Sequence, residues 1–157
     1  MASCCSVDDG ERTTATPTCA RCGQPGRRIE RITLKALLRP DALARLLPCP
    51  YCFCPTPTCE VVYFARDSVF IGEDVRVPVF QKERPGERTV CYCFEITEAD
   101  VRRELVEGRR PTAAERITAL VKADRCACEV RNPQGSCCLG NVMSVMQVLQ
   151  GEVAAVR

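Results

Sequence analysis

The sequence predicts an α+β protein built of two small metal-stabilised parts: a β-rich one with a short antiparallel meander, then a helical one. Three observations carry that prediction. The 14 cysteines fall in clusters along 157 residues. β-branched and aromatic runs crowd residues 61 to 80, and helical periodicity with capping signals takes over after Thr89. The chain has the length of one ordinary domain or two small ones, and the cysteine clusters favour two.

Residues 1–17 are small, polar and threonine-rich without hydrophobic period, and read as a mobile tail that carries the vicinal thiols Cys4 and Cys5. A first module spans 18–82. It opens on Cys19-Ala-Arg-Cys22-Gly23, a Cys-x-x-Cys knuckle whose glycine lets backbone amides turn toward the sulfurs. This is half of a zinc site, and Cys54-Pro-Thr-Pro-Thr-Cys59, a Cys-x4-Cys pair, stands at the right remove to be the other half. Between them Ile32, Leu34, Leu37 and Leu38 make an apolar patch. Pro40 to Leu47 reads as a short helix that starts at proline and ends before Pro48. Val61 to Phe64, Ser68 to Ile71 and Val75 to Phe80 read as three antiparallel strands.

Residues 83–88 are charged, contain Pro85-Gly86 and form the linker to a second module, 89–157. Thr97-Glu-Ala-Asp100 is a capping-box signal for a helix running to Glu107 and stopped by Gly108, and Thr112-Ala-Ala-Glu115 repeats it for a second helix. In that second helix Ile117, Leu120 and Val121 share one side, an amphipathic cover for the loop that follows. Val142 to Leu149 makes a third helix, in which Met143 and Met146 read as core residues instead of copper ligands.

The chemistry of the second module lies in its cysteines. Cys91-Tyr92-Cys93 supplies one close pair of thiolates. Cys126 to Cys138, folded back on itself by Asn132-Pro133-Gln134-Gly135, supplies another. Two pairs of thiolates converging from separate loops are what a 2Fe-2S cluster requires. The sequence has no histidine, which excludes Rieske ligation, His-ligated zinc and Ser-His-Asp or Cys-His catalysis. The formal charge of +2 would fall to about −2 with both sites loaded, each four-thiolate centre carrying about −2.

Both halves resemble the zinc plus 2Fe-2S module of CopZ-type copper chaperones, and the second half also resembles bacterioferritin-associated ferredoxin domains. The matching residues are Phe53-Cys54 through Cys59-Glu-Val-Val-Tyr-Phe64 in the first half. In the second they are Val90-Cys91-Tyr-Cys93 and Cys128-Glu-Val-Arg-Asn-Pro-Gln-Gly-Ser-Cys137-Cys138. The resemblance implies a structural zinc ion on Cys19, Cys22, Cys54 and Cys59. It also implies a 2Fe-2S cluster on Cys91, Cys93, Cys128 and Cys138, with Cys126 and Cys137 left as competitors. The fold it implies is a zinc-ribbon-like module followed by a helical 2Fe-2S-binding module. This chain departs from the pattern by adding Cys49 and Cys52, and it lacks the small copper-carrying domain with a Met-x-Cys-x-x-Cys loop.

Three kinds of function follow. The first is a non-catalytic electron-transfer module in copper homeostasis, reducing Cu(II) to Cu(I) for a separate copper chaperone or transporter. The second is a bacterioferritin-associated-ferredoxin-like partner of another redox protein. The third is a metal sensor or store using Cys4, Cys5, Cys49 and Cys52, and a purely structural role for both sites is the plainest alternative. Interleaved charges and few aromatics argue against nucleic-acid binding. No secretory leader and no apolar run of membrane-spanning length is visible, so the expectation is a cytoplasmic protein with reduced thiols and no membrane insertion.

Overall fold

In the computed structural model, residues 16–108 and 112–156 are described; the expected tail, with Cys4 and Cys5, lies almost wholly outside them. The element order is β1 (Arg27–Ile29), α1 (Arg31–Leu37), α2 (Pro40–Ala44), β2 (Tyr51–Phe53), β3 (Val61–Ala65), β4 (Ser68–Ile71), a 3-10 turn (Gly72–Asp74), β5 (Thr89–Cys91), β6 (Ile96–Thr97), α3 (Glu98–Val106), α4 (Ala113–Lys122), α5 (Cys128–Arg131) and α6 (Leu139–Ala155). The α+β class holds.

The first sheet is antiparallel in the order β1-β2-β3-β4, with Arg28 opposite Cys52 and Phe53 opposite Tyr63. Its core joins Tyr51, Phe53, Val62, Tyr63 and Phe70 to Leu34, Leu37 and Leu38 from the helix that crosses it. Burial of these side chains is the main stabilising term, at roughly 1.5–3 kcal/mol for each large one.

The expected strand over Val75 to Phe80 is not formed. Asp74 accepts from the Ile71 amide at 2.9 Å and closes the 3-10 turn, which steers the chain off the sheet. Pro78 has no N–H to give a ladder. The neighbouring polar groups go to the Tyr92 phenol instead: its hydroxyl donates to the Pro78 carbonyl at 2.6 Å and accepts from the Phe80 amide at 2.9 Å. The sheet gains its extra strands from β1 and β2, three residues each and too short to show a period. Likewise the helix expected over Pro40 to Leu47 closes after one turn and a half, at Ala44, and an unforeseen helix covers Arg31–Leu37.

The second core gathers Val90, Ile96, Val101, Leu105, Ala113, Ile117, Val142, Val145 and Leu149, with Phe80 from the end of the first half. α3 opens on the expected capping box: the Thr97 hydroxyl accepts from the Asp100 amide while Asp100 accepts from the Thr97 amide. Gly108 has φ +71, the left-handed conformation that stops a helix at low cost. The repeat of that signal at Thr112 behaves differently. Its side chain caps nothing, and its amide donates instead to Glu104 of α3 at 2.8 Å. α6 is longer than expected and begins at Leu139; Met146 packs on the core, whereas Met143 is 49% exposed and is not core.

The linker is pinned by Glu98 at the start of α3. Its carboxylate accepts from the amides of Gly86 and Arg88 and from the Arg88 guanidinium, which also lies over the Phe80 ring at 4.5 Å from its centroid. Burial pushes the Glu98 carboxyl up, and the hydrogen bonds from Arg88 and Gly86 outweigh it, leaving the group below its ordinary value.

Candidate metal centres

The Cys19-Ala-Arg-Cys22-Gly23 knuckle turns because Gly23 takes φ +72 and donates its amide to the Cys19 carbonyl at 2.7 Å. Cys54 stands just past β2 and Cys59 just ahead of β3, so the ribbon carries both to the knuckle. The four sulfurs lie within 4.8 Å of one another, with Cys19 to Cys59 at 4.0 Å and Cys22 to Cys54 at 3.7 Å. Tetrahedral zinc at about 2.3 Å from each sulfur requires edges of about 3.8 Å, so the donor set fits that ion. It is too open for disulfides, whose sulfurs sit about 2.05 Å apart.

Backbone amides two residues on face three of these thiols: Gln24 to Cys22, Thr56 to Cys54 and Val61 to Cys59. The Thr56 hydroxyl beside Cys22, with the Gln24 amide, brings that thiol down to about 6. Burial pushes Cys54 up and Cys59 up to about 12. Thr56 was not singled out in the sequence; its place two residues after Cys54 is the signal that would have found it. The added cysteines do not join the four-sulfur group. Cys49 is half-buried against the α1 core, and Cys52 is packed behind the site by Phe64 and Gly26.

The second cluster is carried by a hairpin and a loop. Cys91 ends β5 inside the core, while Cys93 lies in the turn before β6, half-buried against the same core. Cys128 opens α5 and Cys138 precedes α6. Contacts run across the two segments: Cys93 lies 3.6 Å from Cys128, and Cys138 is the group that acts most strongly on the Cys91 thiol. Cys91, Cys128 and Cys138 are buried, Cys93 and Cys126 half-buried and Cys137 exposed. The charge of Cys137 still reaches Cys128 and Cys138.

Amides converge here as well. Ala127 donates to Cys93 at 3.3 Å, Phe94 and Cys93 to Cys91, and Cys138 to Cys128. The Cys138 thiol donating to Cys91 brings Cys91 down to about 6 and raises Cys138; burial pushes Cys128 up to about 12. Thiols from the hairpin and from the loop, met by N–H donors, are groups that could hold a metal centre.

The loop between Cys128 and Cys138 is more than a turn. Asn132, Pro133 and Gln134 are buried. Asn132 donates to the Ser136 carbonyl at 2.8 Å, and Gln134 donates to the Cys137 carbonyl at 3.0 Å. The first module holds the other side: the Tyr63 hydroxyl donates to the Pro133 carbonyl at 2.8 Å, and Gln81 donates to Gln134 at 2.6 Å.

Residues 16–76, which carry the first site, match a family model described as Zinc binding domain. The chain is similar to the copper chaperone CopZ of Archaeoglobus fulgidus, at 31% identity over 121 residues, which is 76% of this chain and 57% of that protein. Its fold is that of the X-ray structure of the Archaeoglobus fulgidus CopZ N-terminal domain, with a TM-score of 0.70 and 29% identity over 82% of this chain and 97% of that one. Among the described residues no helix is long and apolar enough to cross a membrane.

Proposed function

We propose that this chain is an electron-transfer module in copper handling. In this reading Cys19, Cys22, Cys54 and Cys59 hold a structural zinc ion within 18–82, and Cys91, Cys93, Cys128 and Cys138 hold a 2Fe-2S cluster within 89–157. The observation that carries it is that the hairpin thiols meet the loop thiols, Cys93 standing 3.6 Å from Cys128 and Cys138 acting on Cys91. The likeness to a copper chaperone supplies the metal.

A bound 2Fe-2S cluster supplies reversible one-electron transfer, here to Cu(II), which becomes the Cu(I) that thiolate carriers prefer. The residues divide the remaining work. Cys91 and Cys138, 0% and 1% exposed, would hold the group on its buried side and keep water from it, and half-buried Cys93 would hold it on the side nearer the surface. Amide donors from Phe94, Ala127 and Cys138 spread the thiolate charge and favour the reduced form. The zinc site, with four sulfurs and no open position, contributes folding energy. The partner is then a separate copper chaperone or transporter that accepts Cu(I).

The test is low-temperature EPR of anaerobically purified, dithionite-reduced protein, followed by addition of Cu(II). A one-electron signal lost on stoichiometric Cu(II), with Cu(I) trapped by a chelator, is the expected result. Iron-free, EPR-silent protein refutes the cluster, and a cluster indifferent to Cu(II) refutes the copper reading.

A further inference from the structure

We infer that the zinc-binding half is a positioning element for the second cysteine cluster, acting through Tyr63 and Gln81 on the loop 132–135. The inference rests on the reading of that cluster as an iron-sulfur centre. Tyr63 lies in β3, which follows Cys59 directly, and is 0% exposed. Its only polar atom donates to the carbonyl of Pro133, seventy residues away in sequence. Gln81 fixes Gln134, which in turn holds the Cys137 carbonyl beside Cys138 and takes a bond from Asn141 of α6 at 3.1 Å. Gly135, at φ +66, lies so close to Ile29 that a β-carbon there would stand 2.8 Å from the Ile29 side chain. Loop and sheet are therefore in direct contact.

These contacts bear on sulfur placement because Cys128 and Cys138 stand at the two ends of that loop. The pairs they form with Cys93 and Cys91 need the ends held to within a fraction of an ångström. The loop's internal hydrogen bonds set its shape, but only the contacts from the first half set its place relative to the sheet. Tyr63 also belongs to the strand whose approach closes the zinc site, so ordering of that site by zinc and ordering of the loop share one element.

The test uses the full chain with zinc bound, as Tyr63→Phe, Tyr63→Phe/Gln81→Leu and a control, Val62→Ala. Val62 is a buried neighbour on the same strand whose side chain belongs to the first core and not to the loop. Amide hydrogen exchange is read over 128–138 and over the knuckle 19–23 in iron-free protein. After reconstitution, iron loss to a chelator and the EPR line shape are read at a temperature well below unfolding. Loss of one buried hydrogen bond predicts roughly three- to tenfold faster exchange across the loop and similarly faster iron loss in Tyr63→Phe. The double variant goes further, the knuckle is unchanged and the line shape shifts; Val62→Ala lowers thermal stability with loop exchange and line shape as in the wild type. Unchanged loop exchange in both Tyr63 variants, or equal acceleration in Val62→Ala, overturns the positioning role. If the wild type takes up no iron, the cluster reading fails by itself, and loop exchange in the iron-free protein still decides whether Tyr63 positions the loop.

Discussion

Zinc affinity at the first site should rise at least a hundredfold for each unit of pH above neutrality. Among the four sulfurs, Cys22 is brought down to about 6 by Thr56 and the Gln24 amide, so it is already ionised at pH 7 and loses no proton to the metal. Cys59 is pushed up to about 12 and Cys54 is also raised, both by burial, so each must give up a proton when zinc arrives. At least two protons are therefore released per ion. Each contributes a factor of ten per pH unit, about 1.4 kcal/mol, giving at least about 2.7 kcal/mol in total. The sign is that of deprotonation: binding tightens as pH rises, up to the metal-free pKa of the two raised thiols. Competition against a chromophoric chelator at pH 7.0, 7.5 and 8.0, with the chelator's own protonation subtracted, reads the slope directly. A slope of one or less would refute the assignment of two protonated, buried thiols to the metal-free site.

Glu98→Gln should destabilise the protein by about 2 kcal/mol, because half-buried Arg88 loses its counter-charge and the carboxylate bonds to the Gly86 and Arg88 amides weaken; urea unfolding at pH 7 measures it, and a loss below about 1 kcal/mol counts against the clamp. In the wild type the stabilisation from Glu98, whose carboxyl is held below its ordinary value, is present above the unfolded carboxylate pKa and lost as pH falls through the folded one; unfolding titrations that show no acid-side loss relative to Glu98→Gln count against it. Gly135→Ala should cost about 2 kcal/mol, from the positive φ together with the approach to Ile29, and thermal unfolding of the zinc-loaded protein checks it. Cys128→Ser and Cys138→Ser should abolish iron retention, whereas Cys126→Ser and Cys137→Ser retain at least half of it; iron-to-protein ratios after reconstitution decide, and the reverse pattern reassigns the ligands.

Local chemistry was written in the sequence. The knuckle spacing of Cys19 and Cys22, the pair Cys54 and Cys59, the capping box at Thr97 and the stop at Gly108 each depend on residues within a few positions, where spacing alone sets geometry. What needed the tertiary structure depended on partners far along the chain. Val75 to Phe80 has strand composition, yet Tyr92 takes the Pro78 carbonyl and the Phe80 amide while the Arg76 amide goes to Leu37, and no local pattern announces those partners. Asn132 to Gly135 reads as a turn, and its first three residues are buried because Tyr63 and Gln81 receive it. Cys91 and Cys93 look like one pair, but Cys93 stands against Cys128 and Cys91 beside Cys138, because the packing of distant elements decides what stands opposite each thiol.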